Sequence, residues 1–267
     1  MLGCIVNISE GRRRPVTDGI ARAAGHALLD VHSDPHHNRT VLTLVGERAP
    51  RDVARAAVAG LDLREHEGVH PRFGVVDVVP FVPWSGVTLD DAVAARDRFV
   101  HWIAGELGVP AFRYGPERSL PEVRREAFRG LAPDEGPPAP HPSAGAVAVG
   151  ARRPLVAWNV VLAQPDLALA RQIAAAVRGE DLRALGLPVG DEVQVSMNLT
   201  APERLGPAEA WDLVTAHAPA KRAELVGLVP QAVLDRTPSA RWAQLDLASD
   251  RTVEARLARR LGLPDRR

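Results

Sequence analysis

Runs of β-branched and apolar residues alternate along the chain with stretches whose apolar residues return every three or four positions. The run from Gly3 to Ile8 predicts a first strand, closed by the polar and turn-forming Asn7-Ile8-Ser9-Glu10-Gly11. Val16 to His26 has helical character, with Thr17 or Asp18 near its start. Ala27 to Val31 predicts a second strand and Thr40 to Val45 a third, with His32-Ser33-Asp34-Pro35-His36-His37-Asn38 as a polar loop between them. From Pro50 to about Asp62, Val53, Ala56, Ala57 and Leu61 share one side of a predicted helix. Val75 to Val79 then predicts a fourth strand. The order βαββαβ is that of a ferredoxin-like unit.

The pattern continues with a helix from Asp90 to Leu107, for which Thr88 is a suitable cap. A short edge strand from Ala111 to Tyr114 follows, then a helix from Pro121 to Leu131. Ala132 to Gly145, APDEGPPAPHPSAG, breaks the rhythm. Such composition reads as an interdomain linker, or as a binding loop, since long irregular loops tend to bind ligands. A second unit is expected from Ala146. It has strands at Leu155 to Leu162, Val193 to Leu199 and Ala223 to Leu228, and helices at Pro165 to Arg178, Pro207 to Ala216 and from Pro230. Arg241 to Leu261 reads as a charged helical tail.

Composition narrows the class. With 46% apolar and 25% charged residues and a formal net charge of zero, the chain fits a globular protein and lacks the basic balance of a nucleic-acid binder. No apolar stretch approaches the roughly 20 residues that span a bilayer. Cys4 is the single cysteine, so no intrachain disulfide can form. No basic segment and sufficient apolar run of a secretion signal precede Cys4, so a cytoplasmic location without a membrane partner is expected.

Candidate chemistry centres on REHEGVHPRFGVVDVVPFVP, from Arg64 to Pro83. His66-Glu67-Gly68-Val69-His70 matches the zinc pattern H-E-x-x-H, which needs both histidines on a regular helix. Pro71 pushes His70 out of the helical region and Gly68 weakens a helix further. Solvated loop histidines are one alternative, and a reactive His70 at the mouth of a buried strand is another. Imidazole is the side chain best suited to move protons near neutral pH. Arg39 and Arg72 suit bidentate binding of carboxylates. Asp77 can orient His70 or cap a turn. Other polar groups at strand ends and in loops are Asn7, Glu10, His32, Asn38, His141, Arg152 and Arg153. Arg12 to Arg14 read as a solvated basic face, and no carboxylate or cysteine pattern supports a metal at His32, His36 and His37.

Several ordered motifs resemble the formiminotransferase family. They are Asn7-Ile8-Ser9-Glu10-Gly11, Ser33-Asp34-Pro35 with Asn38-Arg39-Thr40, Gly68-Val69-His70-Pro71-Arg72-Phe73-Gly74 and Val76-Asp77-Val78-Val79-Pro80-Phe81. Further on come His141-Pro142-Ser143-Ala144-Gly145, Gly150-Ala151-Arg152, Asn159, Val195-Ser196-Met197-Asn198-Leu199-Thr200 and Leu225-Val226-Gly227-Leu228-Val229-Pro230.

The resemblance implies an α/β (α+β) chain of two ferredoxin-like sandwich subdomains with a ligand groove between them. Residues 1–145 would be the N-terminal subdomain, and 146–267 a shortened C-terminal subdomain with a helical tail. The implied reaction passes the formimidoyl group of N-formimidoyl-L-glutamate to N5 of tetrahydrofolate, the co-substrate, with no metal. The implied alternatives are a folate-binding homologue without transfer activity, or an enzyme acting on 5-formyltetrahydrofolate. His70 matches the family's catalytic histidine. Asn7, Glu10, His32, Asn38, Arg39, Arg72 and Arg152 are the implied substrate contacts. Gly136, His141, Pro142, Ser143, Ala144 and Gly145 belong to the implied folate loop. A homodimer acting on small molecules is the implied state. His32 stands where some members carry an acid, Val6 and Ile8 replace a usual proline and phenylalanine, and the chain is short before the Pro-rich loop and between Arg178 and Val193.

Overall fold

A computed structural model of the chain describes residues 1–69 and 71–262. His70 therefore lies outside the described residues. The chain forms two compact units that divide between Arg153 and Pro154.

The first unit runs β1 (Leu2–Ile8), α1 (Arg14–Arg22), β2 (Leu28–Asp34), β3 (Arg39–Val45), α2 (Arg48–Gly60), β4 (Val76–Pro83), α3 (Leu89–Leu107), β5 (Ala111–Tyr114), α4 (Leu120–Glu126) and β6 (Val147–Ala151). Its sheet has the order β2-β3-β1-β4-β6-β5. The first four strands pair antiparallel in the ferredoxin-like arrangement, and β6 and β5 extend it in parallel beyond β4. Parallel strands need long crossovers, and the 19-residue α3 supplies the one from β4 to β5, which lie on either side of β6. Thr88 caps α3 in a reciprocal pair with Asp91, as its hydroxyl in front of an apolar-periodic run predicts.

The Pro-rich segment before Gly145 is not the division between the units. β6 follows it and sits between β4 and β5, buried along its whole length. A strand with both faces covered reads as an apolar run with no mark of its sheet, so Val147-Ala148-Val149 looked like the opening of a new unit.

The two faces of the first sheet differ. Cys4, Val6, Ile8, Leu42, Leu44, Val79, Phe81, Val147 and Val149 pack into one large core with residues of α1, α2 and α3. Each buried aliphatic or aromatic side chain there contributes about 1.5–3 kcal/mol by leaving water. On the opposite face, Val78, Phe112, Tyr114, Ala146 and Ala148 form a smaller cluster with Val123 of α4. Asn7, Val41 and His32 stand in one row across β1, β3 and β2, so their side chains share this second face. On β1 and β3 the alternation thus sends Cys4, Val6, Ile8, Leu42 and Leu44 to the core under α1–α3, with Asn7 on the opposite face.

The second unit runs β7 (Val156–Leu162), α5 (Leu167–Val177), β8 (Leu182–Val189), β9 (Glu192–Leu199), α6 (Pro207–Thr215), β10 (Ala220–Val226), α7 (Gln231–Arg236) and α8 (Val253–Arg260). Its antiparallel sheet, β10-β7-β9-β8, repeats the ferredoxin-like connectivity. β8 was not visible in the sequence. Gly, Ala and Pro weaken strand propensity, and Leu182, Ala184 and Gly186 declare themselves only when paired in register with β9. The short stretch between Arg178 and Val193 therefore holds a whole strand and a tight turn at Gly190-Asp191. Among the described residues, no helix is long and apolar enough to cross a membrane.

Candidate active site

β1 and β2 end, and β3, β4 and β6 begin, at the same edge of the first sheet. Four loops meet there, held mainly through backbone atoms. Ser9, just past β1, donates its N–H to the Val75 carbonyl at 2.9 Å and its hydroxyl to the Gly74 carbonyl at 2.8 Å. Val75 N–H donates to Ala144 at 2.9 Å, Ala146 N–H to Phe73 at 2.8 Å, and Leu63 N–H to Ser143 at 2.7 Å. Gly74 and Gly145 face each other in an antiparallel bridge. A Cβ on Gly74 would fall 1.8 Å from the Ala146 carbonyl oxygen, so no larger residue fits without moving one loop.

Asn38 joins three of these loops. It adopts a φ of 50°, a left-handed conformation that asparagine tolerates better than most residues. Its Oδ1 accepts from Gly11 N–H at 2.8 Å, and its Nδ2 donates to the Glu67 carbonyl at 2.9 Å. Its own carbonyl lies 2.7 Å from His66 Nε2. Gly11 must be glycine, because a Cβ there would lie 2.3 Å from the Asp34 carbonyl oxygen. Asp34 closes the β2–β3 turn: its Oδ1 accepts from the N–H groups of His36 and His37, and its Oδ2 pairs with His37 Nδ1 at 2.7 Å. Burial opposes ionisation of Asp34, but the His37 and His36 contacts outweigh it and hold the carboxyl well below the usual range.

Arg39 donates from Nε and Nη2 to Asn7 Oδ1, at 3.1 and 2.7 Å. Asn7 Nδ2 in turn donates to the Ile5 carbonyl at 3.0 Å. Arg39 Nη1 lies 3.8 Å from Asp77 Oδ2. Burial lowers the guanidinium to about 10 against the attraction of Asp77, so it stays charged at neutral pH. Arg72 turns back on its own loop, donating to the Gly68 and His66 carbonyls at 2.9 and 2.7 Å. Glu10 is buried, and its Oε1 accepts the N–H groups of Arg12 and Arg13, both at 2.8 Å. Burial raises its pKa, yet those bonds and the Arg13 side chain bring it below the ordinary value. The carboxylate thus holds the turn into α1.

His141 shapes the tip of the Pro-rich loop. Its Nδ1 accepts from the N–H groups of Ser143 and Ala144, at 3.3 and 3.0 Å. The neutral ring therefore carries its proton on Nε2. His141 and Gly145 exchange backbone hydrogen bonds of 2.8 and 2.9 Å across Pro142, Ser143 and Ala144.

The remaining sequence candidates lie elsewhere. His32 shares the Asn7 face but stands two strands away, roughly 9–10 Å at ordinary strand spacing. Arg152 follows the far end of β6, where Nη1 donates to the Arg153 carbonyl at 3.0 Å. Burial lowers its pKa and pushes the neighbouring Tyr114 hydroxyl up to about 12. Gly136 packs against Pro110 and Ala104 beside β5. Among the described residues, His66 to Val69 form no helix: Leu63–Glu65 is a single 3₁₀ turn, and the chain is extended at His66. Burial lowers the His66 pKa. Among the described residues, no group of three or more His, Cys, Asp or Glu is placed to hold a metal.

Sequence reasoning missed Arg124 of α4. It donates from Nη1 to the Pro71 carbonyl at 2.8 Å and from Nη2 to Asp77 Oδ2 at 2.5 Å. Asp77 Oδ1 accepts from Phe73 N–H at 3.0 Å, so the carboxylate caps the turn after Pro71. Nothing in the local pattern marks Arg124, because its partners lie 47 and 53 residues away. Two shallow depressions of about 490 and 550 Å³ lie on the outer side of α2 and α3 around Trp102. They contain none of these residues.

The chain is thus a doubled ferredoxin-like α/β protein whose polar, arginine- and histidine-bearing loops are pinned at one strand end. Comparison with known proteins makes this specific. The N-terminal subdomain of the formiminotransferase domain matches residues 1–152, which coincide with the first compact unit to within one residue. The chain is 36% identical over 269 residues to glutamate formimidoyltransferase of Streptococcus pyogenes serotype M1, covering 86% of this chain and 89% of that protein. It is 34% identical to glutamate formimidoyltransferase of Thermoplasma acidophilum, covering 88% and 90%. It is 37% identical to formimidoyltransferase-cyclodeaminase of Sus scrofa, covering 88% of this chain and 51% of that longer protein. The chain belongs to the formiminotransferase family and is a transferase.

Proposed function

We propose that this chain transfers the formimidoyl group of N-formimidoyl-L-glutamate to N5 of tetrahydrofolate, with His70 as the group that moves the proton. N5 attacks the formimidoyl carbon, and the bond from that carbon to the glutamate nitrogen breaks. N5 loses a proton in the first step and the departing nitrogen gains one in the second. A single imidazole serves both, as base and then as acid. The observation that carries this reading is the lacing of the four motif loops at one strand end. Ser9 and Asn38 there bond the backbone of Gly11, Glu67, Gly74 and Val75, and Phe73 and Val75 bond the backbone of Ala144 and Ala146. Tetrahydrofolate is the co-substrate and no protein-bound metal enters the steps.

Asn7, Asn38 and Arg39 supply polar and cationic groups to this region, and Arg39 is charged toward carboxylates such as those of glutamate. Pro142, Ser143, Ala144 and Gly145 form the loop that meets the folate. Glu10 and Arg72 act through the backbone they hold. The complete four-stranded second sheet favours transfer activity over a homologue that only binds folate, since the shortening after Arg178 removes no strand from its ferredoxin-like core. The same reading includes a homodimer in the cytoplasm.

The test is formation of 5-formimidoyltetrahydrofolate by wild type and His70→Ala side by side. Loss of a general acid/base lowers turnover about 10²–10⁴-fold. A wild type that binds tetrahydrofolate but yields no product would leave only the folate-binding reading. Unchanged turnover in His70→Ala would remove the histidine from the mechanism.

A further inference from the structure

Arg124 sits on a helix that carries none of the family motifs, yet its guanidinium reaches the segment directly after His70. Nη1 donates to the carbonyl of Pro71, the next residue in the chain. Nη2 donates to Asp77, which is almost wholly buried and holds Phe73 N–H through its other oxygen. The guanidinium carbon also lies 5.7 Å from the centre of the Phe73 ring, within range of a cation–π contact. One side chain thus grips Pro71 directly and Phe73 by two routes. From the other side, Arg72 ties this turn to the Gly68 and His66 carbonyls. Gly68 and Pro71 thus each accept a guanidinium hydrogen bond through their carbonyls.

A surface ion pair would be worth little, but this one is not at the surface. The side chains of Arg124 and Asp77 are 19% and 2% exposed, and the planar fork serves two acceptors at once, which an ammonium group cannot reproduce. The geometry points to Arg124 as a positioning residue: it fixes the Pro71–Phe73 turn and acts, through that turn, on proton transfer by His70, the preceding residue in the sequence. This inference rests on the reading of His70 as the acid/base. It assigns Arg124 no contact with substrate. Its effect is in the alignment of another residue, where an error of about 1 Å costs on the order of 10²-fold in rate.

The experiment is a double-mutant cycle on formimidoyl transfer, using the full chain and comparing wild type, Arg124→Ala, His70→Ala and the double variant. Arg124→Lys serves as a milder probe that keeps the charge. We expect Arg124→Ala to lower kcat about 10–100-fold with the KM for both substrates changed less than about threefold. Arg124→Lys should fall between Arg124→Ala and wild type. The deciding readout is the loss of the effect when the histidine is absent: Arg124→Ala should change the residual rate of His70→Ala less than about twofold. A general loss of folded protein would lower both backgrounds alike and would overturn the inference, as would an effect confined to KM. A large loss in His70→Ala beside full activity in both Arg124 variants would overturn this inference alone. Full activity in His70→Ala would overturn the acid/base reading and this inference with it.

Discussion

The Glu10 carboxylate accepts two backbone N–H groups and a guanidinium N–H within the first turn after β1. Its folded pKa is depressed, whereas an unfolded chain would hold it near 4.5. The unfolded state then binds more protons between those values. Glu10 therefore contributes its full stabilisation above about pH 4.5 and loses it as pH falls through the depressed value. Glu10→Gln should be less stable than wild type at pH 7 and should show a shallower loss of Tm on acidification. Acid limbs of equal slope in wild type and variant would show that Glu10 does not drive the transition. Asn38 and Asp34 serve similarly, closing turns through side-chain contacts to backbone groups. Residue type alone does not separate such framework roles from contact with substrate, because a buried carboxylate needs partners whether they are backbone or ligand. Arg124 is the opposite case: the sequence assigns it no role, and only its contacts with Asp77 and Pro71 give it one.

Among elements, the strands that hold the site were legible and the two that complete the sheets were not placed. β1, β3 and β4 combine β-branched or leucine runs with polar stops, and turn chemistry brackets them. The capped start of α3 was equally clear. β6 reads as the start of the second unit because burial on both faces removes alternation, and weak strand formers hide β8. β6 has a testable consequence. It is hydrogen-bonded to both β4 and β5, so a fragment ending at Gly145 would leave β5 without the strand it pairs with. We expect residues 1–153 to fold cooperatively in urea and residues 1–145 to remain poorly folded or to aggregate. Equal stability of the two fragments would show that β6 is dispensable to the first unit.

At the scale of the molecule, the same connectivity occurs twice, once extended by two parallel strands and once bare. Each unit has its own large apolar cluster, as expected where a chain of this length divides its core. The homodimer included in the functional reading belongs to this scale. Sedimentation equilibrium should return about twice the 28.7 kDa mass of the chain, and a single species at the monomer mass would remove the dimer from the reading.

What the sequence determined by itself is the local grammar and the family. Period-two and helical patterns act between neighbours in the chain, and motifs such as Gly68 to Gly74 keep their chemical character wherever the chain goes. What only the tertiary structure decided is which of those motifs touch. Asn38 reaches Gly11 and Glu67, Gly74 meets Gly145, and Arg124 reaches Pro71 across gaps of 27 to 71 residues. Such contacts arise from sheet order and backbone hydrogen bonding, which depend on pairing between distant strands and leave no periodic trace in the sequence. The same physics divides the candidate residues: Asn7, Asn38, Arg39 and the 141–145 turn come together, while Arg152 and Gly136 lie apart from them.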